Sequence, residues 1–184
     1  KELSYYTKKV VHEDINAETV FNIQKYIKKV IITVLLIELI GAAILFFEFI
    51  KKFKFLKAIY YSVFHSVSAF CNAGFSLFSD NLESFKGSMI INTVIPILII
   101  VGGLGFSTII NVYKYLRKED KRITTTSKTT LKVTLGFVIF GAFFIFIFEH
   151  ANVKTIGNYT FIEKIGAAFF QSVTTRTAGF NTMP

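Results

Sequence analysis

Residues 68 to 78 read SAFCNAGFSLF, and residues 172 to 182 read SVTTRTAGFNT. Each stretch places Ala-Gly-Phe directly behind a short apolar run, Ala58 to Phe70 (AIYYSVFHSVSAF) in the first and Phe161 to Thr174 (FIEKIGAAFFQSVT) in the second. At about 13 residues each run makes roughly 20 Å of helix, whereas a bilayer asks for about 20 apolar residues. A helix too short to cross, running into a Gly-containing stretch without periodicity, is the pattern of a re-entrant half-helix followed by an extended loop.

The surroundings are those of a membrane chain. Of the 184 residues 52% are hydrophobic, the mean hydropathy is +0.52, and only 2 are Pro. Three runs are long enough to span: 30–50, 89–113 and 131–148, each expected to be one helix. The formal charge of +9 sits between the apolar runs, with no aromatic-basic pattern for nucleic acid. Lys1, Lys8, Lys9, Lys25, Lys28 and Lys29 precede the first span, and Lys114, Arg117, Lys118, Lys121, Arg122, Lys128 and Lys132 lie between the second and third. By the positive-inside rule both segments, 1–29 and 114–130, are cytoplasmic, and both half-helices enter from the other side. The run KKFKFLK at 51–57 goes against this bias.

The organisation repeats. Phe64, Ser66, Val67 and Ser68 match Phe170, Ser172, Val173 and Thr174; after a one-residue slip Ala73, Gly74 and Phe75 match Ala178, Gly179 and Phe180. One repeat covers 30–113 (span 30–50, pore helix 58–70, loop 71–78, span 89–113). A second begins over 131–184 (span 131–148, pore helix 161–174, loop 175–182), with the chain read as an excerpt that starts without Met and stops at Pro184. A backbone that leaves helix inside a bilayer persists only where protein or a water-filled cavity surrounds it. Extended carbonyls facing a narrow cavity replace water around a cation, Gly gives them the freedom to turn inward, and the half-helix C-terminus adds partial negative charge. Together these point to a cation pathway in an all-α membrane fold.

IELIGAAIL, FHSVSAFCNAGFSLFSDNL, GGLGF and FFQSVTTRTAGFNT, in this order and spacing, resemble the membrane subunit of the Trk/Ktr/HKT potassium transporter superfamily. The resemblance runs from about Val30 to Pro184 and implies four span–loop–span repeats around one pseudo-fourfold pore, of which this chain carries the second and part of the third. It implies potassium, as the transported ligand and with no cofactor, held by the backbone carbonyls of Asn72, Ala73, Gly74, Thr177, Ala178 and Gly179. Cys71, Phe75, Arg176 and Phe180 support those loops. It further implies a multi-pass plasma-membrane protein, a homodimer, the remaining repeats of the same chain, and a cytosolic nucleotide-binding regulatory subunit on the face of 114–130. Sodium or mixed monovalent transport is the alternative within this class; a non-conducting scaffold or an intramembrane enzyme around His65 and His150 is the alternative outside it.

The residues also have plainer readings. Gly74 and Gly179 also suit ordinary turns at helix ends. A guanidinium beside a cation repels it, so Arg176 is expected to point away and pair with a carboxylate or carbonyls. Cys71 reads as a buried, inert thiol, and as the single Cys it excludes a disulfide. His65 has Gln171 as its counterpart, which favours a hydrogen-bonded packing role over proton coupling. Glu38, within a span, is expected to pair inside the bundle. Gly102, Gly103 and Gly105 behind Pro96 signal close helix packing, or a hinge. His12, His65 and His150 share no metal-ligand spacing, and no residue set suits covalent catalysis or a transition-metal site.

Overall fold

A computed structural model describes residues 23–183, which form helices, turns and loops without a strand. The helices are α1 (Ile23–Phe49), α2 (Phe55–Phe70), α3 (Met89–Gly103), α4 (Phe106–Leu116), α5 (Thr125–Glu149) and α6 (Phe161–Thr177), with one 3-10 turn at Glu83–Phe85. The expected basic segment 1–29 lies, through residue 22 and including His12, outside the described residues. The chain divides into two compact units, residues 1–36 and 37–184. In the first, the opening of α1 carries Lys28 and Lys29 and then the apolar run from Val30. Apart from the length of α1, everything below concerns the second.

Two helices are long and apolar enough to cross a membrane, Tyr26–Phe49 and Thr125–Glu149, where runs 30–50 and 131–148 are expected to span. The third expected span, 89–113, is not one helix. It breaks into α3 and α4, which meet at 104°. Gly105 takes φ +80°, outside the helical region, and Leu104 closes α3 with only a 3.3 Å bond from its N–H to the Val101 carbonyl. Pro96, buried within α3, does not interrupt it. The break instead follows a forced contact: a Cβ on Gly102 would lie 1.8 Å from the Phe70 carbonyl oxygen at the end of α2. The path of α3 is pinned there, and the chain leaves it two residues later.

The repeat is built on one interaction used twice. Ser66 on α2 donates its hydroxyl to the Glu38 carbonyl on α1 at 2.6 Å, and Ser172 on α6 donates to the Val138 carbonyl on α5 at 2.8 Å. In each case the carbonyl lies three residues before a span glycine that has no side chain to obstruct the hydroxyl: a Cβ on Gly41 would meet Ser66 Oγ at 2.6 Å, and one on Gly141 would meet Ser172 Oγ at 2.4 Å. A buried hydroxyl is costly unless bonded, so these sockets fix the depth of each short helix against its span. Glu38 therefore contributes its carbonyl rather than the carboxylate pairing expected of it; no ion pair holds its half-buried side chain among the described residues.

The two short helices start differently. Thr160 caps α6, accepting from Glu163 N–H while the Glu163 carboxylate accepts from Thr160 N–H, a reciprocal capping box. Lys54 stands at that place on α2 and supplies no side-chain cap. Between α2 and α3 the Asp80 carboxylate accepts from the Ser84 N–H and hydroxyl, and Lys52 reaches the Ser84 carbonyl at 2.8 Å and lies over the Phe85 ring. The Ser84 hydroxyl, first among several donors, holds the Asp80 carboxyl below its ordinary range.

Two outcomes follow. Replacing Gly102 with Ala forces α3 off the Phe70 carbonyl and should lower stability by about 1–3 kcal/mol, read as a drop in the melting temperature of the purified full-length protein. The hydrogen bonds from Thr160 hold the Glu163 carboxyl below its ordinary 4.5. Its contribution is therefore complete above that value and disappears as pH falls through the lower, folded-state value. The melting difference between the parent and Glu163→Gln should accordingly be constant from neutrality down to about pH 5 and shrink in stronger acid.

Candidate functional site

α2 ends because its last turn is closed from behind. Asn72 N–H bonds to the Ala69 carbonyl at 3.1 Å and Ala73 N–H to the Ser68 carbonyl at 2.9 Å, with Asn72 at φ +55°. That is a Schellman closure on a left-handed residue. α6 closes on Gly179, φ +87°, whose N–H reaches the Thr174 carbonyl at 3.2 Å. Past each closure a hydroxyl on the helix holds the loop: Ser68 donates to the Phe75 carbonyl and Thr174 to the Phe180 carbonyl, both at 2.8 Å. Bare loop carbonyls close to a span would otherwise lack a partner.

The two loops meet. A Cβ on Gly74 would sit 1.5 Å from the Ala178 carbonyl oxygen and 3.2 Å from the Gly179 carbonyl carbon, so the backbones touch where Gly74 has no side chain. Thr177 donates its hydroxyl to Asn72 Oδ1 at 2.7 Å. Further along, Leu82 N–H bonds to the Asn181 carbonyl at 2.9 Å, Asn181 N–H to Asn81 Oδ1 at 3.1 Å, and Asn181 Nδ2 to Glu83 Oε1 at 3.3 Å. Segments about a hundred residues apart are thus locked in register by two asparagines, Asn81 being left-handed at φ +56°.

His65 supports this arrangement from within the helix. It is fully buried, Nδ1–H donates to the Tyr61 carbonyl at 2.7 Å, and Nε2 lies 3.2 Å from Ser76 Oγ. Because a carbonyl only accepts, the proton is on Nδ1. Ser76 in turn receives Phe78 N–H and donates to the Asn81 carbonyl at 3.0 Å. The imidazole stacks on Phe78, with Phe49 5.3 Å away on the span. This is the packing role expected for His65. Its counterpart Gln171 leaves Oε1 buried without a partner among the described residues.

Asn72, Ala73 and Gly74 lie in a loop, as expected, and Gly74 takes the left-handed φ of +69°. Thr175, Arg176 and Thr177 do not: α6 runs to Thr177, three residues beyond 174, and Ala178 is its C-cap with φ −97° and ψ −49°. Thr177 and Ala178 accordingly carry helix-terminal rather than extended backbone. Phe180 is buried whereas Phe75 is 70% exposed, so the two aromatics that support the loops are not equivalent. Arg176 is exposed and makes neither an ion pair nor a hydrogen bond among the described residues; its place in the last turn of α6 puts its charge at the negative helix end. Cys71 is exposed, not buried, because it caps α2 one step past the buried Ala69 and Phe70.

Membrane-spanning helices bracketing two half-helices, whose loops are tied to each other, define an integral multi-pass membrane protein with paired re-entrant loops. The chain belongs to the TrkH family, described as cation transport protein, whose model matches residues 1–184. It is similar to Ktr system potassium uptake protein B of Bacillus subtilis, 35% identical over 183 residues, covering 100% of this chain and 41% of that protein. It is also similar to the potassium/sodium uptake protein NtpJ of Enterococcus hirae, 37% identical over 180 residues (98% of this chain, 39% of that protein). A Ktr system potassium uptake protein B of Vibrio alginolyticus matches at 34% over 181 residues, 98% and 40% of the two chains. The chain spans about two fifths of the length of these relatives.

The glycines separate by surroundings. Gly179 has open space where a Cβ would go, and only its φ constrains it. Gly74→Ala should therefore cost more than Gly179→Ala, which carries only left-handed strain of about 1–2 kcal/mol; thermal melts of the two full-length variants give the order.

Proposed function

We propose that the full-length protein carries potassium ions across the plasma membrane, and that these two loops form part of the passage. The observation that carries this reading is the backbone contact between Gly74 and Ala178 at the ends of two short helices, in a family of cation transport proteins. Helix C-termini offer partial negative charge without an anionic side chain, and peptide oxygens replace hydration water around a bare cation. Asn72, Ala73, Gly74, Thr177, Ala178 and Gly179 supply those oxygens, with Cys71, Phe75, Arg176 and Phe180 around them. Potassium is the cargo. In this reading the remaining repeats complete the ring, two copies associate, and a cytosolic nucleotide-binding subunit docks against segment 114–130.

A second reading, sodium or mixed monovalent transport, is favoured by the similarity to a relative named for both ions. Rubidium uptake by the full-length protein in a cell lacking its own potassium transporters tests the first: robust uptake is expected, reduced at least tenfold by Gly74→Ser and less by Gly179→Ser. Competition by sodium at equal concentration would favour the second reading. An absence of any flux from well-expressed protein would end both.

A further inference from the structure

We propose that the side of the first repeat between α1 and α2 docks an anionic phospholipid, with its acyl chain in an apolar groove and its phosphate on Lys54 and Lys57. In the second repeat α5 and α6 enclose a groove of about 430 Å³ with apolar walls, including Ile139, Ala142, Phe146, Phe161 and Ile165. The first repeat carries Leu39, Ala42, Phe46, Phe55 and Ile59 at the matching places. The aromatic pair at its end is duplicated in geometry as well: Phe46 and Phe55 meet edge-on at 5.7 Å and 84°, Phe146 and Phe161 at 6.0 Å and 86°.

Within the described residues α3, the helix that closes the first repeat, fills this groove in neither repeat. α3 packs against both α2 of its own repeat and α6 of the next. The first repeat thus has its own closing helix in place, yet Leu39, Phe55 and Ile59 remain 65%, 61% and 40% exposed. The second has the preceding closing helix in place, yet Ile139, Phe161 and Ile165 remain 60%, 68% and 48% exposed. An apolar groove left open on the flank of membrane helices faces acyl chains.

Charge distinguishes the repeats and identifies the headgroup. Where Thr160 and Glu163 bind each other at the start of α6, the first repeat has Lys54 and Lys57. Lys51 is paired with Glu48 and Lys52 is held by the Ser84 carbonyl. Lys54 and Lys57 are exposed, and their ammonium groups make no ion pair or hydrogen bond among the described residues. Unneutralised ammonium groups at the end of an acyl groove are complementary to a lipid phosphate. The run KKFKFLK, anomalous by the positive-inside rule, gains a reason.

The test exchanges the rim of one repeat for that of the other. Lys54→Thr with Lys57→Glu in the full-length protein gives α2 the residues that cap α6, so folding is retained or improved; Lys54→Gln with Lys57→Gln is the second variant. Bound phosphatidylglycerol and phosphatidylcholine are counted by native mass spectrometry after extraction, and a photo-crosslinker at position 59 reports the occupant. The expected result is roughly tenfold weaker phosphatidylglycerol retention in both variants, unchanged phosphatidylcholine retention, an unchanged or higher melting temperature, and crosslinking to lipid in the parent. Unchanged phosphatidylglycerol retention, equal retention of the two lipids by the parent, or crosslinking at 59 to a second copy or another polypeptide would overturn the proposal.

Discussion

The arrangement depends on one close approach: the Gly74 backbone lies against the Ala178 carbonyl, a contact that any side chain at position 74 would prevent. Non-helical backbone at membrane depth survives only if its polar groups find partners other than water. Here the two loops partner each other, through this contact and through the Thr177–Asn72 and Asn81–Asn181 hydrogen bonds. Neither loop is an independent element. Each is held both by the other and by its own helix, through Ser68 and Thr174, so both short helices must be held at fixed depth.

That depth is set by the Ser66 and Ser172 sockets, each made by a hydroxyl on the half-helix, a carbonyl on the span and a glycine three residues on. Beside them Phe49 and Phe78 pack on His65, Phe85 packs on both of those rings, and the cluster carries the loop from residue 76 to 82. Burying such rings yields large hydrophobic stabilisation without a polar cost, and the imidazole adds a directional bond to the Tyr61 carbonyl that apolar rings lack. The first repeat thus holds its loop with aromatic packing and with the Ser76 hydroxyl, which donates to the Asn81 carbonyl and accepts from Phe78 N–H. In the second, Gln171 stands in place of the histidine, and its buried Oε1 has no partner among the described residues.

Length and periodicity make two of the three long spans, the half-helices and the duplicated Ala-Gly-Phe legible, because each is a local property of the chain. The sockets were half visible: Ser66 and Ser172 align, but the role of Gly41 and Gly141 depends on a neighbour more than twenty residues away. The extension of α6 through Thr175, Arg176 and Thr177 was hidden because Thr-Thr-Arg-Thr contains no helix stop, and the first residue that readily takes positive φ is Gly179. The break after Gly103 was hidden for the opposite reason, since Gly102, Gly103 and Gly105 suit tight packing as well as bending, and only the Phe70 carbonyl decides between them. Burial of Cys71 and a partner for Arg176 were inferred from residue type, whereas helix ends govern both.

The right-angled joint at Leu104–Gly105 bears on how force moves through the molecule. A straight rod conveys push and pull along its axis, but two rods joined at 104° convey torque. A displacement of the basic stretch after α4 would reach α3 as a twist about the joint, with the eleven-residue α4, about 16 Å long, as the lever arm and its packing on α5 as the restraint. At Gly105 itself no atom of the described residues beyond its chain neighbours lies within 4 Å of where a Cβ would sit, so the restraint on that rotation lies in α4 and not at the joint.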